Sequence, residues 1–283
     1  MRDRTGFVIA AAAAVLAVAG PARAQQRPLV TEDPETIGAG RVLLESGLDY
    51  ARDILFPLSG LRGNLLAVPT VGVSVGLSSI AEIQIDGGLY RRLAITDRRD
   101  APFASRLDLD GDRATSVDDV VLATKVRLLG EQASRPAIGL RFATRLPNSS
   151  NESGLGRDTT DFTAALLLAK TVQSIRVVGN AGLSIQGDPT EAARQDDLFV
   201  YGLSVARAVT NAAEFVGEIN GRYNHAQGVT PGAENQATMR LGGRYTRGSV
   251  RVDAAVLLGM TSRDPGFGVT AGVTWVFDAF QIP

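Results

Sequence analysis

The last alternating segment of the chain, residues 267–277, constrains the fold more than any other part of the sequence. It reads FGVTAGVTWVF and places Phe267, Val273, Trp275 and Phe277 on one face of a strand, with small and polar residues on the other. In water the apolar face would need a core to cover it. In an outer membrane it can face lipid, with its aromatic residues at the interface. The segment therefore predicts the closing strand of a membrane β-barrel.

Short alternating segments of the same kind recur along the chain between turn signals. They predict twelve strands, at residues 41–50, 65–77, 80–90, 119–129, 137–146, 161–171, 175–186, 198–209, 214–224, 237–246, 250–260 and 267–277. Longer connections follow the odd strands and shorter ones follow the even strands, as in barrels with short periplasmic turns and longer outer loops. The predicted fold is all-β, a transmembrane antiparallel β-barrel of about twelve strands in an up-and-down meander.

The predicted outer connections include residues 53–63 and two long polar loops, 92–116 and 147–158. An even number of strands places both ends of the barrel in the periplasm, as export followed by insertion requires. A soluble sandwich is the alternative, but it would not sort loop length by strand parity.

The N-terminus has the features of a secretory signal peptide. Arg2 and Arg4 precede an apolar run at residues 7–19, and Ala22-Arg23-Ala24 forms a cleavage site. The run is too short for a transmembrane helix, so an uncleaved anchor is the less favoured alternative. We expect a signal peptide at residues 1–24, a periplasmic lead-in at 25–40 and an outer-membrane barrel at 41–283, in a Gram-negative cell envelope.

Composition excludes several other classes of protein. The chain has no cysteine, which excludes disulfides and thiolate metal sites. Its formal net charge of −1 gives no basic excess, so no nucleic-acid partner is expected. No stretch after the signal peptide is long enough to span a bilayer as a helix, and barrel strands give only a weak hydropathy signal. No cofactor is expected.

If the apolar faces meet lipid, the opposite faces line the lumen. The charged residues predicted to line it are Glu45, Asp49, Glu82, Asp86, Lys125, Arg127, Arg141, Arg145, Arg176, Glu218, Arg222, Arg240, Arg244 and Arg251. Acidic residues dominate predicted strands one to three, and basic residues dominate strands four to seven. Opposed rows of charge can set the selectivity of a pore. The alternative interpretation is that these charges pair across the interior and fill it.

Two motifs suggest chemistry without requiring it. Asp108, Asp110 and Asp112 resemble the start of a calcium loop, but Arg113 occupies the position where the sharp turn needs glycine. A solvated acidic loop is the favoured interpretation, and no metal site is predicted. His225 is the only histidine and could serve a membrane-embedded hydrolase, but no serine lies near it in sequence.

Three segments resemble a known bacterial family. Residues 28–50 are similar to the start of outer-membrane proteins labelled putative MetA-pathway of phenol degradation or transporter, with Gly40, Glu45 and Gly47 in the first strand. Residues 71–90 resemble the second hairpin of that family. Residues 117–129 resemble its Gly-Asp-strand-Lys motif, although Asp118 replaces the usual glycine. The resemblance implies an outer-membrane β-barrel and the passage of small organic compounds, and it supplies no catalytic residues.

The sequence thus predicts a non-enzymatic, passive outer-membrane channel or transporter for small solutes, aromatic or hydrophobic in character. Its expected partners are outer-membrane lipid, a small-molecule solute and the assembly machinery, which would engage the C-terminal strand. Two alternatives remain open at this point: a structural or adhesion barrel that works through its outer loops, and the hydrolase that would use His225.

Overall fold

The computed structural model describes residues 27–191, 193–226 and 228–281, so the predicted signal peptide lies outside the described residues. The strands are β1 (Arg41–Phe56), β2 (Leu61–Gly76), β3 (Ala81–Gly88), β4 (Arg91–Arg98), β5 (Arg113–Ser116), β6 (Val121–Leu129), β7 (Ala137–Arg145), β8 (Asp161–Val172), β9 (Ile175–Gly187), β10 (Gln195–Ala208), β11 (Ala213–Tyr223), β12 (Gln236–Arg247), β13 (Val250–Gly259) and β14 (Phe267–Asp278). One 3₁₀ turn, Ala104–Arg106, lies between β4 and β5. No helix in these ranges is long and apolar enough to cross a membrane.

The fourteen strand segments form a closed antiparallel barrel of twelve strands. β3 and β4 both pair with β2, so together they form one strand of the wall with a short interruption. β5 pairs with β4 and β6 pairs with β3, so β5 and β6 likewise form one interrupted strand. Every later strand pairs with its neighbours in sequence, and β14 closes the ring on β1. The predicted twelve-stranded meander is confirmed.

The outer end of the wall extends further than the sequence analysis predicted. Much of the predicted loop 92–116 is strand, because β2 continues outward and offers its edge to β4 between Leu61 and Ala67. Likewise β1 continues to Phe56, so only residues 57–60 connect it to β2. The predicted loop 53–63 is thus reduced to residues 57–60, and the predicted loop 92–116 to residues 99–112. Charged residues on β4 and β5 hide a short alternation in which Leu93 and Ala114 are buried.

A small hydrophobic cluster stabilises this outer extension. Leu61, Leu65, Leu93 and Ala114 pack with Leu155, which comes from the connection between β7 and β8. The hydroxyl of Ser59 donates a hydrogen bond to the carbonyl of Gly154, at 2.8 Å. The outer loops therefore pack against one another as a folded rim.

The closing strand has the register that its sequence predicts. Trp275 is 46% exposed, whereas its neighbours Thr274 and Val276 are buried. The rings of Trp275 and Phe277 lie 4.4 Å apart on the outer surface. Large apolar side chains cover the outside of the other strands too, such as Leu203 and Phe215. This surface is the lipid-facing side of the barrel.

The outer surface gives a depth-dependent prediction for arginine. Leu203→Arg, in the middle of β10, should reduce the free energy of unfolding by about 2–4 kcal/mol, because a charge at the bilayer midplane is poorly solvated. Val209→Arg, just beyond the periplasmic end of β10, should cost about 0–1 kcal/mol. Denaturant titration in lipid vesicles measures both values. Equal costs at the two positions would contradict the assignment of this face to lipid.

The C-terminal aromatic residues give a second prediction. Phe277 ends the outward face, whereas Phe280 lies beyond β14, where its backbone N–H donates to the carbonyl of Gly40 at 3.1 Å. Phe277→Ala should therefore reduce the folded fraction in the membrane, and Phe280→Ala should reduce it less. Heat-dependent mobility of the barrel in detergent gels measures the folded fraction. The reverse order would show that Phe280 is the functional end of the strand.

Candidate functional site

The residues before β1 occupy the lumen of the barrel. We call residues 27–37 the N-terminal segment. Gly38 and Gly40 have positive φ angles of 94° and 72° and turn the chain from this segment into β1. A Cβ atom on Gly40 would lie 2.1 Å from the carbonyl oxygen of Phe280, so only glycine fits there. The lead-in, expected in the periplasm, instead lies against the inward faces of the strands.

Three acidic side chains fix the N-terminal segment to basic residues of the wall. Their partners are as follows: Glu32 contacts Arg141 at 2.9 Å and Lys125 at 3.4 Å, Asp33 contacts Arg176 at 2.7 Å, and Glu35 contacts Arg127. Lys125 is fully buried and also lies 3.0 Å from Glu82. Charges removed from water in this way require close partners, which the N-terminal segment supplies.

The backbone of the N-terminal segment is held by polar side chains of β9 and β11. The carboxylate of Glu218 accepts hydrogen bonds from the N–H groups of Val30 and Thr31, at 3.0 and 2.8 Å. Asn180 accepts from the N–H of Glu32 and donates to its carbonyl, each at 2.7 Å. These contacts satisfy main-chain groups that have left bulk water.

Arg27 anchors the far end of the segment near the closing strands. Its guanidinium donates to the hydroxyl of Thr70 on β2 and to the hydroxyl of Thr270 on β14, at 3.2 and 2.9 Å. Arg244 on β12 donates to the carbonyl of Arg27 at 2.7 Å. Followed back from Gly38, the segment therefore passes β6 to β11 in the middle of the lumen and returns to the part of the wall formed by β14, β1 and β2.

The fourteen residues predicted to line the lumen make hydrogen bonds or ion pairs in the structure. Glu45 accepts a hydrogen bond from Thr274, and Asp49 lies 4.0 Å from Arg27. Further ion pairs join Asp86 with Arg141, Arg145 with Asp119 and Asp161, Arg176 with Glu131, Glu218 with Arg240, and Glu214 with Arg244 and Arg251. Arg222 lines a cavity described below.

The sequence analysis missed the most consequential members of this network, Glu32, Asp33 and Glu35. A signal was present: these three acidic residues lie in a segment directly before a wall whose central strands carry unbalanced basic residues. The assignment of that segment to the periplasm prevented the two observations from being combined.

The N-terminal segment separates two cavities. The outer cavity, about 440 Å³, is floored by Val30, Thr31 and Glu32 and opens toward the longer loops. The inner cavity, about 560 Å³, is roofed by Leu29, Thr31 and Asp33 and lies at the end with the short turns. Both volumes lie in the range of small-molecule sites, about 300–1,000 Å³. The extended N-terminal segment lies between the two cavities.

The two motifs that suggested chemistry lie in the outer connections of the barrel. Within the described ranges no group of three or more acidic or histidine residues is arranged to hold a metal ion, and Asp112 pairs with Arg98 at 3.2 Å. His225 is exposed, and no hydrogen bond joins it to a serine or a carboxylate in the described part of the chain.

A closed antiparallel barrel with an apolar outer face and a charged lumen defines an outer-membrane β-barrel, embedded with its outer face in lipid. The family model described as "Putative MetA-pathway of phenol degradation" matches residues 25–277, and the chain belongs to that family. A search of curated protein sequences finds no match.

Solved structures share the fold at low sequence identity. The COG4313 outer membrane channel from Pseudomonas putida F1 superposes with a TM-score of 0.61 and 13% identity, covering 87% of this chain and 98% of that one. The translocator domain of the autotransporter NalP from Neisseria meningitidis gives 0.52 and 13%, covering 96% and 94%. The NanC porin gives 0.50 and 9%, covering 82% and 98%.

The two lysines of the chain provide a matched test of the lumen network. Lys125→Met leaves Glu32 and Glu82 without their shared cation, so it should lower the free energy of unfolding by about 3–5 kcal/mol. Lys170, at the periplasmic rim, donates to three exposed backbone carbonyls, and Lys170→Met should cost about 1 kcal/mol or less. Denaturant titration in vesicles compares them. A small cost at Lys125 would show that the network contributes little to stability.

Proposed function

We propose that the protein is a passive outer-membrane channel for small, largely apolar aromatic solutes. The observation that carries the proposal is the division of the lumen into an outer and an inner cavity. The N-terminal segment divides them, and noncovalent contacts hold it against the wall. The family description, which names phenol degradation, supports an aromatic solute. Enzymatic activity forms no part of the proposal. Among the described residues no hydrogen bond joins the exposed His225 to the serine and carboxylate that such a hydrolase would use.

In this proposal the N-terminal segment is the barrier that a solute must pass. A solute collects in the outer cavity, the segment is displaced from part of the wall, and the solute reaches the inner cavity. The contacts that must break are ion pairs and backbone hydrogen bonds around Glu32 and Thr31, which water and other lumen charges can replace for a short time. The charged lumen residues would bias which solutes approach the segment.

The assembly machinery is proposed to act on the C-terminal strand. Its outward aromatic face is the feature available for such recognition before the ring closes, because β14 supplies the last pairing with β1.

A cross-link between the segment and the wall tests whether the segment must move. A Cβ atom on Gly202 would lie 3.4 Å from the Cβ of Thr31, close to the spacing of about 3.5–4.5 Å found in disulfides. The chain has no cysteine of its own, so Thr31→Cys with Gly202→Cys forms a single defined pair. The oxidised protein should take up phenol several-fold more slowly than the reduced protein, in vesicles whose outer leaflet is lipopolysaccharide.

The single-cysteine variants control for the substitutions themselves. Equal uptake by the oxidised and reduced double variant would show that solutes do not pass the segment. Absence of both phenol uptake and ion conductance in the unmodified protein would contradict the channel proposal altogether. That result would favour a structural or adhesive barrel, in which the outer loops carry the function.

A further inference from the structure

Two arginines of the lumen differ from its other cationic side chains in their partners. Lys125, Arg127, Arg141, Arg145, Arg176 and Arg240 each have a carboxylate oxygen within 4.0 Å. In the described part of the chain, Arg222 and Arg157 have no such partner. Both reach the outer end of the lumen. Arg222 lies near the end of β11, and Arg157 lies in the connection between β7 and β8.

These two guanidinium groups converge on one carbonyl oxygen. Arg222 donates to the carbonyl of Gly232 at 2.8 Å and to that of Glu234 at 3.0 Å, and Arg157 donates to the same Gly232 oxygen. Arg157 also donates to Gln186 at 3.1 Å, while its buried Nε atom has no hydrogen-bond partner among the described residues. Two positive charges are thus fixed side by side by neutral carbonyl groups, which leaves the charge itself uncompensated at short range.

Burial makes this arrangement costly without an anion. Burial lowers the pKa of the Arg157 guanidinium, outweighing the opposing effect of Asp161. Three carboxylates act on Arg157 from beyond ion-pair distance. Asp161 pairs with Arg145, and Glu234 accepts from the N–H of Gly232 and lies 3.7 Å from Arg263. Asp196 accepts from Asn224 at 2.9 Å with one oxygen, and its other, buried oxygen has no hydrogen-bond partner among the described residues. An unpaired charge held partly out of water favours binding of an opposite charge.

The same cavity that Arg222 lines has an apolar side. Ala143, Ala165 and Leu167 face it from β7 and β8, and Val30 of the N-terminal segment contributes to its floor. Leu167 is fully buried, although it points into a lumen otherwise rich in charge. The other acidic residues of the lining are also occupied, because Glu32 pairs with Arg141 and Asp264 accepts hydrogen bonds from residues 237 and 261.

We propose that the outer cavity is a binding site for small aromatic carboxylates. The carboxylate would be held by Arg222 with Arg157 behind it, and the ring would lie against Ala143, Ala165 and Leu167. Arginine suits this role because its planar group can donate two parallel hydrogen bonds to a carboxylate. The inference rests on the proposed channel function and narrows its solutes to acids that carry an aromatic body.

Equilibrium binding tests the site independently of transport. Benzoate and benzamide have nearly the same shape and differ in charge, and their binding to the purified barrel in detergent can be measured by calorimetry. The unmodified protein should bind benzoate at least about tenfold more tightly than benzamide, because hydrogen bonds to a charged group are the stronger ones. Arg222→Gln should abolish this preference, and Arg157→Gln should reduce it.

Arg113→Gln is the matched control. Arg113 is an exposed arginine of β5 at the outer end of the barrel and has no part in the cavity lining, so its variant should keep the full preference for benzoate. Heat-dependent gel mobility confirms that each variant is folded. If Arg222→Gln fails to fold, Arg222→Lys replaces it in the test. Because it keeps a positive charge, Arg222→Lys should retain part of the preference for benzoate. Equal binding of the two ligands by the unmodified protein would overturn the proposal. An unchanged preference for benzoate in Arg222→Gln, or in the double variant Arg222→Lys with Arg157→Gln, would also overturn it.

Uptake into vesicles separates this proposal from the channel proposal. Benzoate binding that depends on Arg222, in a protein that admits neither benzoate nor phenol, would support the site and contradict the channel. Uptake of phenol without any preference for benzoate in binding would contradict the site and leave the channel function intact.

Discussion

The structure depends on the pairing of charges that the barrel wall places inside the lumen. A closed barrel removes its inward side chains from bulk water, so each buried charge there requires a partner. The basic side chains of β6 to β9 take acidic partners from two sources. Glu82, Asp86, Asp161 and Glu131 lie in the strands or in the turns between them. Glu32, Asp33 and Glu35 come from the N-terminal segment, and Lys125 shows the result, with a fully buried ammonium between one carboxylate of each kind. The segment is therefore part of the folded interior and not an appendage of it.

The same pairing explains why two interpretations of the lumen were both defensible from the sequence. Rows of opposite charge are present, as a selective pore would have. Most of those charges are also paired, as a filled barrel would have. The N-terminal segment reconciles these observations, because it fills the middle of the lumen and leaves a cavity at each end. Arg222 and Arg157 lie in the outer part, where no acidic side chain of the described residues completes a pair within 4.0 Å.

Alternation along the strands was enough to predict the fold. Period-two patterns such as that of β14 identify both the strand and the face that meets lipid, so the twelve-stranded wall and its closing register followed from sequence. The outer extension could not be predicted in the same way, because β4 and β5 are short and their charged residues conceal the buried Leu93 and Ala114. The path of the N-terminal segment was also beyond reach. It has no repeating pattern, and its position is set by partners distant in sequence, such as Glu218 for Val30.

Arg27 gives the docked segment a further meaning. Its guanidinium bonds to β2 on one side of β1 and to β14 on the other, so it bridges the seam where the two ends of the wall meet. The bond to Thr70 needs only the pairing of β1 with β2, whereas the bond to Thr270 needs β14 in place beside β1. The two bonds can therefore be present together only when the ring has closed. From the lumen side, Arg27 also stabilises the junction of β1 with β14, the two strands that are farthest apart along the chain. A barrel that has lost its segment would be weakest there.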